Sequence, residues 1–101
     1  DNSIERTLRD FELNILSVLG YELNFQSDYV GNEPITSGFN YKYSPQSGFM
    51  KSKNGYDGKM LNEINKREFS KDSLRVCKEI NRSTINYYFE ELNIKSRIFF
   101  K

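Results

Sequence analysis

The stretch "LRDFELNILSVLGYELNF", Leu8 to Phe25, changes its period halfway along, and that change sets the expected fold. Its first part continues a pattern begun upstream: Ile4, Leu8, Phe11, Ile15 and Val18/Leu19 recur at spacings of four, three, four and three, with Leu13 and Leu16 widening the stripe. Those spacings return side chains to one side of an α-helix. Ser3 is placed to cap its start, Glu5 falls in its first turn, and Gly20 stands where a glycine ends a helix, so a helix is expected over 3–19. The apolar stripe, Phe11 and Leu16 included, is expected to be core, as is Tyr87 farther along the chain. From Tyr21 the period is two: Tyr21, Leu23 and Phe25 alternate with Glu22, Asn24 and Gln26, as in a half-buried strand.

Outward from this stretch, "SDYVGNEPITSG" carries turn chemistry, Phe39, Tyr41 and Tyr43 alternate again, and "SPQSG" reads as a turn before Phe49 and Met50. "NGYDG" closes the region, so residues 21–57 are expected to form a small antiparallel β ribbon inserted between helices. Met60, Leu61 and Ile64 suggest a short helix over 58–67, and Ser70 is placed to cap a longer one over 70–92. On that helix Val76, Cys77, Ile80, Thr84 and Tyr87 share one face, and Lys71, Arg75, Lys78 and Arg82 recur on the opposite one. "IKSRIFFK" is expected to fold back as a last helical turn over 96–100. The fold class is α+β, mainly α: one domain over 1–101, a helical bundle carrying a β ribbon.

With 101 residues the chain supports a single core. Its apolar runs are too short to span a membrane, and its one cysteine, Cys77, speaks for a reducing cytoplasm rather than a disulfide scaffold. Charge is uneven: two basic against seven acidic residues in 1–40, thirteen against seven in 41–101. The C-terminal part therefore admits an anionic partner, without the basic excess of a protein that holds duplex DNA by charge alone.

The absence of histidine removes the commonest general base and metal ligand. Cys77 reads as a small core residue, with a reactive thiol as the alternative. Glu12, Glu90 and Glu91 read as ordinary helix-surface charges, and no enzyme is expected. Small ribbons are often held by zinc through two C-x-x-C pairs, but no Cys or His lies between Phe25 and Gly55. Phe25, Phe39, Tyr41, Tyr43 and Phe49 are left to hold the ribbon, and no cofactor is expected.

The blocks "LRDFELNILSVLGYELNF", "GNEP", "FNYKY", "SGFM", "LNEINKREF", "DSLRVCKEINR" and "IKSRIFF" together resemble the C-terminal domain of the RecO family of recombination mediators, in register from about Thr7 to Phe100. "NKREF" and "DSLR" agree with its zinc-less branch. The counterparts of the family's zinc cysteines are Asp28 and Gly31 and a pair near Lys51 and Asn54, so the resemblance implies no metal site here. It also implies that the N-terminal OB-fold domain, the main platform for single-stranded DNA, is absent from this chain. It implies further an interaction role in bacterial DNA repair: receiving the acidic, phenylalanine-terminated tail of single-strand DNA-binding protein, engaging RecR, and helping to load RecA.

Matched to the family's tail pocket, the resemblance points to Arg9 and Arg75, beside an apolar recess expected from Leu8, Phe11 and Leu74. Guanidinium groups suit a terminal carboxylate and aspartates. Lys71, Lys78 and Arg82 are candidates for steering the tail or touching DNA phosphates, and Lys95 and Arg97 for DNA or RecR. Each has a plainer reading. The row Lys71/Arg75/Lys78/Arg82 suits a solvated helix face offset by Asp72 and Glu79, and Arg9 suits a surface residue paired with Glu5, Glu12 or Asp10. Lys95 and Arg97 could equally close a helix C-terminus. The competing function is a nucleic-acid-binding module whose basic helix face grips phosphates directly.

Overall fold

Among the described residues the chain forms three helices and a small sheet: α1 (Asn2–Val18), β1 (Asn40–Ser44), β2 (Gly48–Ser52), β3 (Tyr56–Asp57), α2 (Gly58–Lys66) and α3 (Lys71–Phe99). The computed structural model describes residues 2–99, with side chains from 3 to 90. The architecture is α+β and mainly α, as the change of period led us to expect.

The ribbon is antiparallel, with strand order β2-β1-β3. Tyr41 lies opposite Lys51 and Tyr56, and Tyr43 opposite Phe49. Two glycines let the chain close on itself here. At Gly55 (φ 150°) a side chain would run into the Tyr41 carbonyl, and at Gly58 it would run into the Thr36 carbonyl. Phe25, Tyr41 and Phe49 are buried. Phe49 packs against Phe25 and Tyr43 at 5.3 and 4.9 Å between ring centres. Each fully buried aromatic stabilises by about 1.5–3 kcal/mol, which is how aromatics can hold a ribbon without metal. The Tyr43 hydroxyl meets Thr84 Oγ1 at 2.6 Å and Tyr88 donates to the Pro45 carbonyl at 3.2 Å, so the ribbon is pinned along α3.

At Asp28, one expected counterpart of a zinc cysteine, a carboxylate organises the loop. Asp28 Oδ1 accepts from the Gly31 amide at 3.0 Å and the Glu33 amide at 3.4 Å, and those backbone bonds, Gly31's first, hold its pKa below the usual range. Among the described residues no group of three or more His, Cys, Asp or Glu side chains is placed to hold a metal ion.

Four local expectations need correcting. Among the described residues Tyr21–Gln26 is extended but forms no strand; pairing begins beyond it, at an isolated bridge between Ser27 and Pro34. The reason is local: Asn24 Oδ1 accepts from the Gln26 and Ser27 amides, engaging N–H groups that a ladder would use. Phe39 is exposed just ahead of β1, under the Lys51 ammonium at 4.4 Å, and holds no core. The third helix runs unbroken to Phe99, without the break expected after residue 92; Phe100 lies outside the described residues.

The fourth correction concerns α1. Leu13 and Leu16 are buried, but Ile4, Leu8, Phe11, Ile15, Val18 and Leu19 are exposed, Phe11 at 60%. The helix turns its narrower stripe, Arg9, Leu13 and Leu16, inward. It does so because Glu12, paired with Arg9 on α1, meets Asn81 on α3, described next. Tyr87, also expected in the core, is 37% exposed and rests edge-on against Tyr88 at 5.0 Å.

Candidate protein-binding groove at the start of α3

Helix α3 begins with a reciprocal cap: Ser70 Oγ accepts from the Ser73 amide at 3.1 Å, and Ser73 Oγ accepts from the Ser70 amide at 2.7 Å. Ser70 also donates to Glu63 at 2.7 Å, which joins the end of α2 to the start of α3. At the other end of that junction Arg67 closes α2 in a left-handed conformation, and its Nη1 reaches Asp10 on α1 at 3.0 Å. These contacts join the end of α2 both to the first turn of α3 and to α1.

Positions 71, 74, 75 and 78 are separated by three, one and three residues, so they stack along one side of α3. Lys71, Leu74, Arg75 and Lys78, with Asp72 and with Glu5 from α1, line an open groove of about 260 Å³. Leu74 is buried and forms its floor. Arg75 is 70% exposed at its side chain, and among the described residues its ion pair is a 3.7 Å contact with Asp72. Among the described residues Lys71, Lys78 and Arg82 have no carboxylate within ion-pairing distance, and all three are exposed. The helix N-terminus adds a partial positive charge at the same place.

Arg9 is positioned differently from a groove rim. It is 4% exposed and lies behind the groove, between α1 and α3. Its Nη1 meets Glu5 Oε1 at 2.7 Å, its Nη2 donates to Glu12 Oε2 at 3.0 Å, and its Nε stands 2.8 Å from Glu12 Oε1 as an ion pair without hydrogen-bond alignment. Glu12 Oε1 also accepts from Asn81 Nδ2 of α3 at 3.0 Å. Arg9 therefore neutralises Glu5, one of two acidic residues of the groove wall with Asp72, and through Glu12 and Asn81 it ties the two helices together. The surface reading of Arg9 named the right partners in Glu5 and Glu12 but placed them in solvent. Leu8 and Phe11 do not line the groove; they face outward on the far side of α1. Lys95 and Arg97 lie outside the residues with described side chains.

Glu5 and Asp72 in the groove wall entered the sequence reading only as charge partners, Glu5 of Arg9 and Asp72 of the basic row on α3, and not as lining residues. Cys77 lies deeper on α3, fully buried; burial first of all pushes its thiol up to about 12, which makes it inert packing. On the other side of Arg75 a larger hollow, of about 540 Å³, is walled by Asp57, Asp72 and Glu79, a poor host for an anion. The groove flanked by Lys71 and Lys78 is thus the better anion receptor of the two.

No family model matches the chain. Curated relatives do: it is 34% identical over 102 residues to DNA repair protein RecO of Escherichia coli O1:K1 / APEC and of Escherichia coli strain K12 / DH10B. The same identity holds for DNA repair protein RecO of Escherichia fergusonii. In each case the match takes in 96% of this chain and 42% of the relative, so the chain spans about two fifths of the length of the curated relatives it matches. The resemblance to the C-terminal domain of RecO thus runs through nearly the whole chain.

Proposed function

We propose that this chain is the non-enzymatic interaction domain of a RecO-type mediator of DNA repair and recombination, and that its α1–α3 groove receives the acidic, phenylalanine-ended tail of single-strand DNA-binding protein. In the longer protein this contact would bring the mediator to coated single strands, where RecR-dependent loading of RecA follows. The observation that carries the reading is the groove itself: Lys71, Arg75 and Lys78 around the Leu74 floor, with the acidic wall residue Glu5 neutralised from behind by Arg9. The aspartates and terminal carboxylate of such a tail would meet the three cations, and its phenyl ring would lie on Leu74 and the aliphatic stems of the lysines. Arg9 acts here as a positioning residue, because without it Glu5 would repel the ligand.

Fluorescence anisotropy with a labelled acidic peptide ending in phenylalanine tests this. The reading expects micromolar affinity, weakened at least about tenfold by Arg75→Ala, since a charge-assisted hydrogen bond contributes about 1.5–3 kcal/mol. Saturable binding that ignores Arg75→Ala and Lys78→Ala would move the site elsewhere.

A second reading keeps some support, because the exposed row Lys71, Arg75, Lys78 and Arg82 also suits nucleic-acid phosphates. Binding to bare single-stranded DNA would then fall with salt at a log-log slope of about −0.7 per phosphate contact. An undetectable affinity at low salt excludes it.

A further inference from the structure

The segment Tyr21–Phe25 is extended and pairs with no strand among the described residues. It is held straight from both ends. Tyr21 stacks on Tyr88 of α3 at 3.9 Å between ring centres and donates its amide to the Leu16 carbonyl at 2.8 Å, while Phe25 is buried against Phe49. The turn at Asn24 takes up the amides of Gln26 and Ser27. Those of Glu22, Leu23, Asn24 and Phe25 donate to nothing among the described residues. An extended backbone with unpaired donors is a template for a further strand, and one already held in shape has less freedom to lose on binding.

A cleft runs beside it. Two adjoining hollows, of about 260 and 350 Å³, share Glu22, Leu23, Phe25 and Asn65. Buried Leu13 and Ile64 give the first an apolar floor, and the exposed Asn14 of α1 and Asn65 of α2 line it as well. Neither carboxamide has a partner among the described residues, and a carboxamide both donates and accepts, as a peptide group does. The charge of the cleft disfavours anions: its Arg67 is held by Asp10, whereas Glu22 pairs with no cation among the described residues.

We propose that this cleft receives a strand: an extended peptide of another protein, bound to the Glu22–Phe25 backbone through its own main chain. Its side chains over Leu13 and Ile64 are apolar or neutral, and a Lys or Arg at one end meets Glu22. At about 3.3 Å per residue, four paired residues cover about 13 Å, so the occupant is about five or six residues long. A second copy of the chain fits less well, because its own segment lies beside the same two helices and brings a second uncompensated Glu22. The site is separate from the Arg75 groove and does not rest on the acidic-tail reading.

The probe is a capped peptide of alternating valine and threonine, about six residues long with lysine at each end, added to the 15N-labelled chain. The expected result is saturable amide shifts across residues 22–25. At ten times Kd, exchange should slow about tenfold at alternate amides, either 22 and 24 or 23 and 25, because successive residues of a strand face opposite edges. Methylating one set of alternate peptide nitrogens in the probe should abolish binding, and methylating the other set should spare it. Asn65→Ala and Glu22→Gln, both at exposed positions and checked for folding by circular dichroism, should each weaken it about two- to fivefold. No shift at 22–25 with the probe at millimolar concentration would overturn the proposal, as would binding that survives methylation of either set. Movement of the same amides with single-stranded oligothymidine but not with the peptide would hand the cleft to nucleic acid. Alternate amides protected in the concentrated chain alone would replace the peptide with a second copy.

Discussion

Replacing Arg9 with methionine keeps the aliphatic bulk between α1 and α3 and removes the charge that Glu5 and Glu12 share. The structure sets the scale. Arg9 is buried, grips Glu12 at two points and Glu5 at one, and Glu12 is anchored in turn by Asn81. Removing one partner of a buried ion pair costs about 3–5 kcal/mol. Here the two carboxylates are about one-third exposed, at 34% and 28%, and can turn partly to water, so we expect a loss of about 2–3 kcal/mol. With a urea m-value of about 1.5 kcal/mol per molar, the midpoint of unfolding, followed by circular dichroism, should fall by roughly 1.3–2 M. Adding Glu12→Gln removes the stranded charge while leaving an acceptor for Asn81. The double variant should therefore be more stable than the sum of the two losses by at least about 1 kcal/mol. A midpoint within about 0.3 M of the parent, or strictly additive losses, would refute the claim that this cluster joins the helices.

Asp28→Ala should release the Gly31 and Glu33 amides, seen as faster hydrogen exchange, whereas Asp28→Asn should keep the loop because an amide oxygen still accepts. Because Asp28's folded pKa is lowered, its contribution is present above the ordinary carboxylate range and lost as pH falls through the folded pKa; amide shifts at 31 and 33 should report that loss in acid, and Asp28→Asn should abolish it. Tyr43, whose hydroxyl burial pushes up to about 12 from 10, has the opposite sense: its contribution is complete below pH 10 and fades as pH rises toward 12. Tyr43→Phe should flatten that alkaline decline in melting temperature and cost about 1 kcal/mol at neutral pH, where the bond to Thr84 is lost. Cys77, buried with its thiol raised to about 12, should react with a thiol reagent at pH 8 only as fast as the chain unfolds; labelling within seconds in native buffer would show an accessible thiol instead.

Element types and their order were legible because hydropathy period is a local property: the switch at Gly20 ends α1, and the aromatics of "FNYKY" and "SGFM" mark the paired strands. What was not legible was which face of α1 turns inward. Periodicity favours the face with most apolar residues, and Ile4 to Val18 form the stronger stripe. The helix instead buries Arg9 with Leu13 and Leu16, because α3 presents Asn81 to Glu12 and thereby completes a polar cluster. That preference depends on a residue 69 positions away, beyond any window of local pattern. The lost strand at Tyr21–Gln26 has the converse origin: its burial alternates as expected, but a turn made by Asn24 removes the amides a ladder needs. For the groove, the basic row on α3 could be read from spacing, and the resemblance pointed to Arg75. The role of Arg9 behind Glu5 required the packing of two helices to be known.

Amide NMR of the 15N-labelled chain, titrated with an acidic peptide ending in phenylalanine, probes the groove most directly. Shift changes should concentrate at Glu5, Lys71, Leu74, Arg75 and Lys78, and should fade when the peptide's terminal phenylalanine is replaced by alanine. Changes centred on the β ribbon or on the exposed stripe of α1, with those five amides unmoved at saturation, would contradict it.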